Sequence, residues 1–137
     1  MKRVLLVDDD DDLREALCDV LAFGGYEVTG APDGPTALAW LTAHGAPDLI
    51  LVDLMMPGMS GAELKGRIDR DPACAAVPVL VVSGDTRLAE QARAMGAAGW
   101  ISKPTPIDAF LRTVAWHLDG GARAGAEVRA AVEGPRR

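Results

Sequence analysis

Three aspartates stand directly after two short apolar runs. Asp8 and Asp9 follow Val4–Val7, and Asp53 follows Leu49–Val52. If those runs are neighbouring strands, three carboxylates converge in one crevice. Like charges that close raise one another's pKa unless a cation compensates them. A small pocket of hard oxygen ligands suits Mg2+, which keeps several waters and takes only one or two carboxylates. Two further apolar runs end in complementary chemistry. Ser83 follows Val79–Val82 and brings a hydroxyl, while Lys103 follows Gly99–Ser102 and brings fixed positive charge. Acids, a metal, a hydroxyl and an ammonium together suit a phosphoryl group. Metal and lysine neutralise its oxygens, and the hydroxyl donates to one of them. A carboxylate can serve as nucleophile, giving an aspartyl phosphate. Each residue taken alone has a plainer reading. An Asp at a strand end is commonly a turn or cap residue, Ser83-Gly84-Asp85 is an ordinary turn, and Lys103 is a surface lysine. The chemistry rests on all of them meeting at one edge of one sheet.

The elements that must position them alternate along the chain. Strand patterns at Val4–Val7, Tyr26–Thr29, Leu49–Val52, Val79–Val82 and Gly99–Ser102 alternate with amphipathic stretches. Leu13, Ala16, Leu17, Val20 and Leu21 repeat at helical spacing and stop at Gly24-Gly25. A second helix starts at Asp33-Gly34-Pro35 and ends at Gly45. Ser60 can cap a third that ends near Asp71-Pro72. A fourth runs from about Arg87 to Met95, and a fifth begins at Pro106 with Phe110, Leu111, Val114 and Leu118. Five strand–helix repeats imply an α/β fold, a parallel sheet with helices on both faces. The crevice of such a sheet lies beyond the carboxyl ends of its strands.

Asp10, Asp11 and Asp12 extend the acidic run but fit a different purpose. At the start of the first helix, acids satisfy free N–H groups and oppose the positive end of the helix dipole.

The 137 residues suit one domain, and 49% of them are apolar, enough for a real core. The net charge is -6 and the pI about 4.8, which disfavours nucleic-acid binding. From Gly120 onward four arginines and two glutamates give +2, which leaves -8 for the rest. No apolar run reaches the length of a membrane span, and no secretory signal is expected. Cys18 and Cys74 form neither a disulfide framework nor a CxxC pair, so a reducing, cytoplasmic setting is expected. His44 and His117 fall on helices, away from the strand ends. Met55, Met56 and Met59 read as loop packing.

The segments LLVDDD, LILVDLMMPGMSG, VLVVSGD and GWISKP, in this order and spacing, closely resemble the receiver domain of bacterial two-component response regulators. The resemblance covers about Lys2 to Leu118, so residues 1–118 form the receiver and 119–137 a Gly/Ala/Arg-rich tail, flexible or marginally helical. It implies a flavodoxin-like doubly wound sheet, strand order 2-1-3-4-5. It implies that Asp53 accepts a phosphoryl group from a histidine kinase or histidine phosphotransferase, with Mg2+ required. Asp9 would bind the metal directly, Asp8 mostly through water, and Asp53 and the backbone carbonyl of Met55 would complete its ligands. Ser83 takes the place of the switch hydroxyl, Lys103 that of the phosphate-pairing lysine, and Trp100 that of the switch aromatic. The Lys103–Pro104 bond would be cis. Beyond self-phosphorylation from a phosphodonor and self-dephosphorylation, no enzymatic activity is expected.

Several positions depart from the family pattern. Trp100 replaces the usual Tyr or Phe and tightens the inward pocket; simple packing across the fifth strand is the alternative. Gly84 stands where Ala is usual, and Ser60 replaces a common Asp. Apolar Met55 cannot position a water, which points to slow self-hydrolysis. A phosphatase of the aspartyl-phosphate type would place an acid at position 55. A flavin- or nucleotide-binding protein would need a Gly/Ser/Thr-rich loop after the first strand, where this chain has aspartates. A scaffold that works without phosphorylation has only Trp100 in its favour. The tail is too short for an output domain. A stand-alone receiver signalling by protein contact is expected, with a receiver cut from a longer chain as the alternative. The contact would use the surface of the fourth helix, fifth strand and fifth helix, near Arg87, Glu90, Arg93 and Trp100. A monomer or weak dimer is expected, with no nucleic acid and no membrane as partner.

Overall fold

A computed structural model describes residues 1–119; the expectations for the tail fall outside the described residues. The strands are β1 (Arg3–Val7), β2 (Glu27–Ala31), β3 (Leu49–Asp53), β4 (Val79–Ser83) and β5 (Gly99–Ser102). The helices are α1 (Asp11–Phe23), α2 (Gly34–His44), α3 (Gly61–Asp69), α4 (Leu88–Met95) and α5 (Ile107–Leu118). All strands are parallel, in the order β2-β1-β3-β4-β5. The fold class and strand order expected from the sequence are those observed.

Side chains alternate across the sheet and divide the core in two. Leu5, Val7, Ile50 and Val52 face α2 and α3, meeting Ala37, Leu41, Leu64 and Ile68. Val4, Leu6, Leu49 and Leu51 face the other way, against Leu21, Phe110, Val114 and Leu118 of α1 and α5. Leu54, Val81, Leu88 and Ala92 make a smaller cluster under α4, with Trp100 and Met95 packed against it. Both faces of β1, β3 and β4 are therefore covered, which is why those strands read as continuous apolar runs.

Local chemistry sets the helix starts. Asp10 caps α1, its Oδ1 accepting from the Leu13 N–H at 3.1 Å. Asp33 does the same for α2 through Thr36, and Ser60 for α3 through Glu63. The acidic run after β1 is thus divided as expected, with Asp10 as cap and Asp11 and Asp12 in the first turn.

Several boundaries differ from the sequence reading. β3 and β4 each run one residue further, so Asp53 and Ser83 are the last residues of their strands and keep ladder pairing. β2 lies at Glu27–Ala31 rather than Tyr26–Thr29, because pairing with β1 carries it through Gly30 to Ala31. Gly30 weakens the strand signal, yet a Cβ there would sit 3.1 Å from Cys18 Sγ. α3 ends at Asp69 because Asp71 turns the chain, its carbonyl accepting from the N–H groups of Cys74 and Ala75.

Candidate functional site

Strand order brings the chemistry-bearing residues to one edge. β1 pairs with β3 (Val7 opposite Val52), β3 with β4 (Asp53 opposite Val82) and β4 with β5 (Ser83 opposite Ser102). Asp8, Asp53, Ser83 and Lys103 therefore leave neighbouring strands at the same carboxyl ends, the first three from β1, β3 and β4 in the centre of the sheet and Lys103 from the edge strand β5.

The three carboxylates converge. Asp8, Asp9 and Asp53 each present an oxygen, and these oxygens lie within 4.8 Å of one another. Asp8 is 1% exposed; its Oδ1 accepts from the Asp10 N–H at 2.9 Å, and its Oδ2 lies 3.5 Å from Lys103 Nζ. Asp53 is also buried; its Oδ1 accepts from the Met55 N–H at 3.3 Å, and its Oδ2 lies 3.8 Å from Lys103 Nζ. Asp9 is exposed. One ammonium thus bridges two buried carboxylates at long range, and the four groups carry a net charge of -2 when ionised.

Burial, above all, pushes the Asp53 carboxyl up from 3.8 to about 6. Lys103 and the Met55 N–H pull it down, and the Asp8 and Asp9 charges push it up. The site therefore holds more negative charge than its own lysine neutralises. Two buried oxygen donors beside an exposed third fit a hard divalent cation that keeps part of its water shell. The donor set contains neither sulfur nor imidazole; His44 lies in the last turn of α2, stacked on Trp40, and His117 lies on α5.

The hydroxyl and the aromatic are held differently. Ser83 is buried, and its Oγ accepts from the Asp85 N–H at 3.1 Å, while its carbonyl accepts from the Lys103 N–H. A Cβ on Gly84 would meet nothing closer than 3.8 Å, so the loop does not require glycine for space. The Lys103–Pro104 bond is cis. Trp100 is half-buried on the α4 side of the sheet, and the Arg93 guanidinium lies 4.9 Å from its ring centre. Arg87 is paired with Glu90 on the same helix at 3.5 Å. The Met55 side chain is 64% exposed.

The supporting roles of two residues escaped the sequence reading, although Gly61 closes the LILVDLMMPGMSG segment. Arg14 donates to the Asp8 carbonyl at 2.8 Å and to Asp11 at 2.7 Å, tying α1 to the loop that carries the acidic pair. Its only signal was the three-residue spacing from Asp11. Gly61 starts α3 against the end of β3, where a Cβ would lie 2.6 Å from the Asp53 carbonyl oxygen and 3.0 Å from Leu54 Cα. Close backbone approach of this kind leaves no trace in composition.

Comparison with known proteins agrees with this geometry. The family described as "Response regulator receiver domain" matches residues 4–115. The chain is similar to the response regulator protein FleR of Pseudomonas aeruginosa, 41% identical over 121 residues, covering 86% of this chain and 25% of FleR. It is 35% identical to the sensory transduction protein RegX3 of Mycolicibacterium smegmatis, covering 91% of this chain and 57% of RegX3. It thus spans about a quarter to somewhat over half of these curated relatives. Among solved structures, chemotaxis protein CheY4 of Vibrio cholerae superposes with a TM-score of 0.78 at 32% identity, covering 84% of this chain and 97% of that one.

Proposed function

The chain belongs to the response regulator receiver family and so to phosphorelay signal transduction, and on that premise we propose that Asp53 is its phosphoacceptor. The observation that carries the assignment is the Lys103 ammonium lying between the carboxylates of Asp8 and Asp53. Of the three acids, Asp53 alone is the last residue of a central strand, and burial raises its carboxyl to about 6. The reaction is transfer from a phosphohistidine of a histidine kinase or histidine phosphotransferase. An Asp53 carboxylate oxygen forms the new O–P bond, the N–P bond breaks, and the donor imidazole leaves. Lys103 faces the incoming phosphoryl oxygens, and Met55 N–H holds the carboxylate oriented.

Receiver domains generally bind Mg2+ at an acidic pocket, and the cluster of Asp8, Asp9 and Asp53 is such a pocket. Here Asp9 would hold Mg2+ directly and Asp8 mostly through water, with Asp53 and the Met55 carbonyl as further ligands. The bound ion supplies the positive charge that three carboxylates and a phosphoryl group need.

Ser83 reads the phosphoryl group, exchanging its bond from the Asp85 N–H for a bond donated to a phosphoryl oxygen. The equilibrium shifts by the difference in stabilisation between the two states. Trp100 couples that change to the surface of α4, β5 and α5, where a downstream protein binds. Apolar, exposed Met55 supports slow hydrolysis of the aspartyl phosphate and opposes a phosphatase, which needs an acid there. No helix among the described residues is long and apolar enough to cross a membrane. Incubation with acetyl phosphate and Mg2+ tests the function: the adduct should be labile to hydroxylamine, as an acyl phosphate is. A stable adduct, or none, would contradict it.

A further inference from the structure

A cleft of about 410 Å3 opens between α3 and α4, lined by Leu54, Ala62, Gln91, Ala94 and Met95. The three acids, Ser83 and Lys103 are not among its walls. Short side chains make the space. The two helices approach each other where buried Lys65, held by both oxygens of Asp69 at 2.7 and 2.9 Å, lies 4.0 Å from where a Cβ on Gly96 would be. Beside that approach the walls are Ala62 of α3 and Ala94 of α4, both exposed and both too short to close the gap.

The floor is apolar. Leu54 is buried there with Val81, Leu88 and Ala92, and Met95 packs against the same cluster. A thioether such as that of Met95 makes favourable contacts with aromatic rings. One wall group is polar and unmatched. Gln91 Oε1 is buried, and no protein donor among the described residues reaches it. A buried carbonyl oxygen keeps the negative end of its dipole and its demand for a donor. Where water meets that demand, a ligand gains only by replacing the bond that it displaces. Apolar walls with one fixed polar group are the usual make-up of a small-ligand site, and the volume falls in the range of such sites. A carboxylate would set negative charge against Gln91 Oε1, and a purely apolar ring would leave that oxygen unmet.

We propose that the α3–α4 cleft binds a small neutral heteroaromatic molecule, whose N–H donates to Gln91 Oε1 while its ring lies between Ala62 and Ala94 against Leu54 and Met95. Leu54 directly follows Asp53; its N–H donates to the Val82 carbonyl at 3.2 Å and its carbonyl accepts from the Gly61 N–H at 3.1 Å. An occupant therefore braces α4 against α3 and touches the backbone segment that carries Asp53. Binding itself does not depend on phosphoryl transfer, so it is tested on the unphosphorylated full chain.

The probes are indole, which has the N–H, and benzothiophene, a ring of the same shape without it. Titration with indole, followed by amide and methyl shifts, should move Leu54, Ala62, Ala94 and Met95 along one saturable curve. Indole should bind about threefold to tenfold tighter than benzothiophene, the worth of one hydrogen bond. Gln91→Met keeps length and helix propensity but removes the acceptor. It should weaken indole to the level of benzothiophene and leave benzothiophene itself unchanged. Ala62→Leu/Ala94→Leu fills the cleft from two exposed positions and should abolish binding of both probes. Three results overturn the proposal: shifts that are absent or map elsewhere, equal affinity for the two probes in the parent chain, and indole binding that survives either variant undiminished.

Discussion

The carbonyl oxygen of Asp53 lies 2.6 Å from the point where a Cβ on Gly61 would be. α3 thus begins in direct backbone contact with the strand end that carries Asp53, the proposed phosphoacceptor, and the Gly61 N–H donates to the Leu54 carbonyl at 3.1 Å. Gly61→Ala must push this loop outward. We expect a loss of about 1–3 kcal/mol, as for other overpacked sites, together with slower labelling by acetyl phosphate. Urea unfolding and a labelling time course measure the two. Unchanged values of both would show that the loop yields freely.

The raised carboxyl of Asp53 makes one contribution of known sign to the pH dependence of stability. Burial favours its protonated form, so the native protein holds this proton more tightly than the unfolded chain does. The cost of ionising it is absent below 3.8, accrues as pH rises, and is fully present above about 6. Asp53→Asn removes that cost. Without metal, the variant should exceed the parent by on the order of 1–2 kcal/mol near pH 7, after allowance for solvent screening. The advantage should shrink as pH falls through the window from 6 to 3.8. Denaturant midpoints across pH check this, and a constant difference would contradict it.

Much of this was legible in the sequence because strand ends are. A parallel sheet buried on both faces writes continuous apolar runs, and the crevice is lined by the residues at the carboxyl end of each run. Asp8, Asp9, Asp53 and Lys103 were found that way, and the motif around Asp53 pointed to the family. The support around them was not legible. Gly61 matters through a backbone approach, and Arg14 through a bond to the Asp8 carbonyl; neither depends on a pattern of residue types. Gly30 hid the end of β2 because a ladder partner, not propensity, extends that strand. The Ser83 bond from Asp85 N–H depends on a loop conformation, as does the placement of Trp100 beneath Arg93.

Metal binding should depend on Asp9. The residue is exposed, so Asp9→Ala should change stability by less than about 0.5 kcal/mol. Mg2+ affinity should fall by about tenfold or more, since a directly bound carboxylate is lost. A Mg2+ titration followed by tryptophan fluorescence measures it. Unchanged affinity would move the ion away from the cluster.

Arg93 should govern the environment of Trp100. With Trp40 and Trp116 changed to Phe, Arg93→Ala should raise quencher access to Trp100 and cost about 0.5–1 kcal/mol. Beryllofluoride, a phosphoryl mimic, should alter the fluorescence of Trp100, and Ser83→Ala should reduce that change. A signal identical with and without the mimic, in protein that phosphorylates normally, would leave Trp100 as packing alone.

The central claim is that Asp53 is the single phosphoacceptor, and intact-mass measurement after incubation with acetyl phosphate and Mg2+ tests it most directly. The parent chain should gain one phosphoryl group, and Asp53→Asn, folded and at the same concentration, should gain none. A phosphoryl adduct that persists on Asp53→Asn would contradict the account.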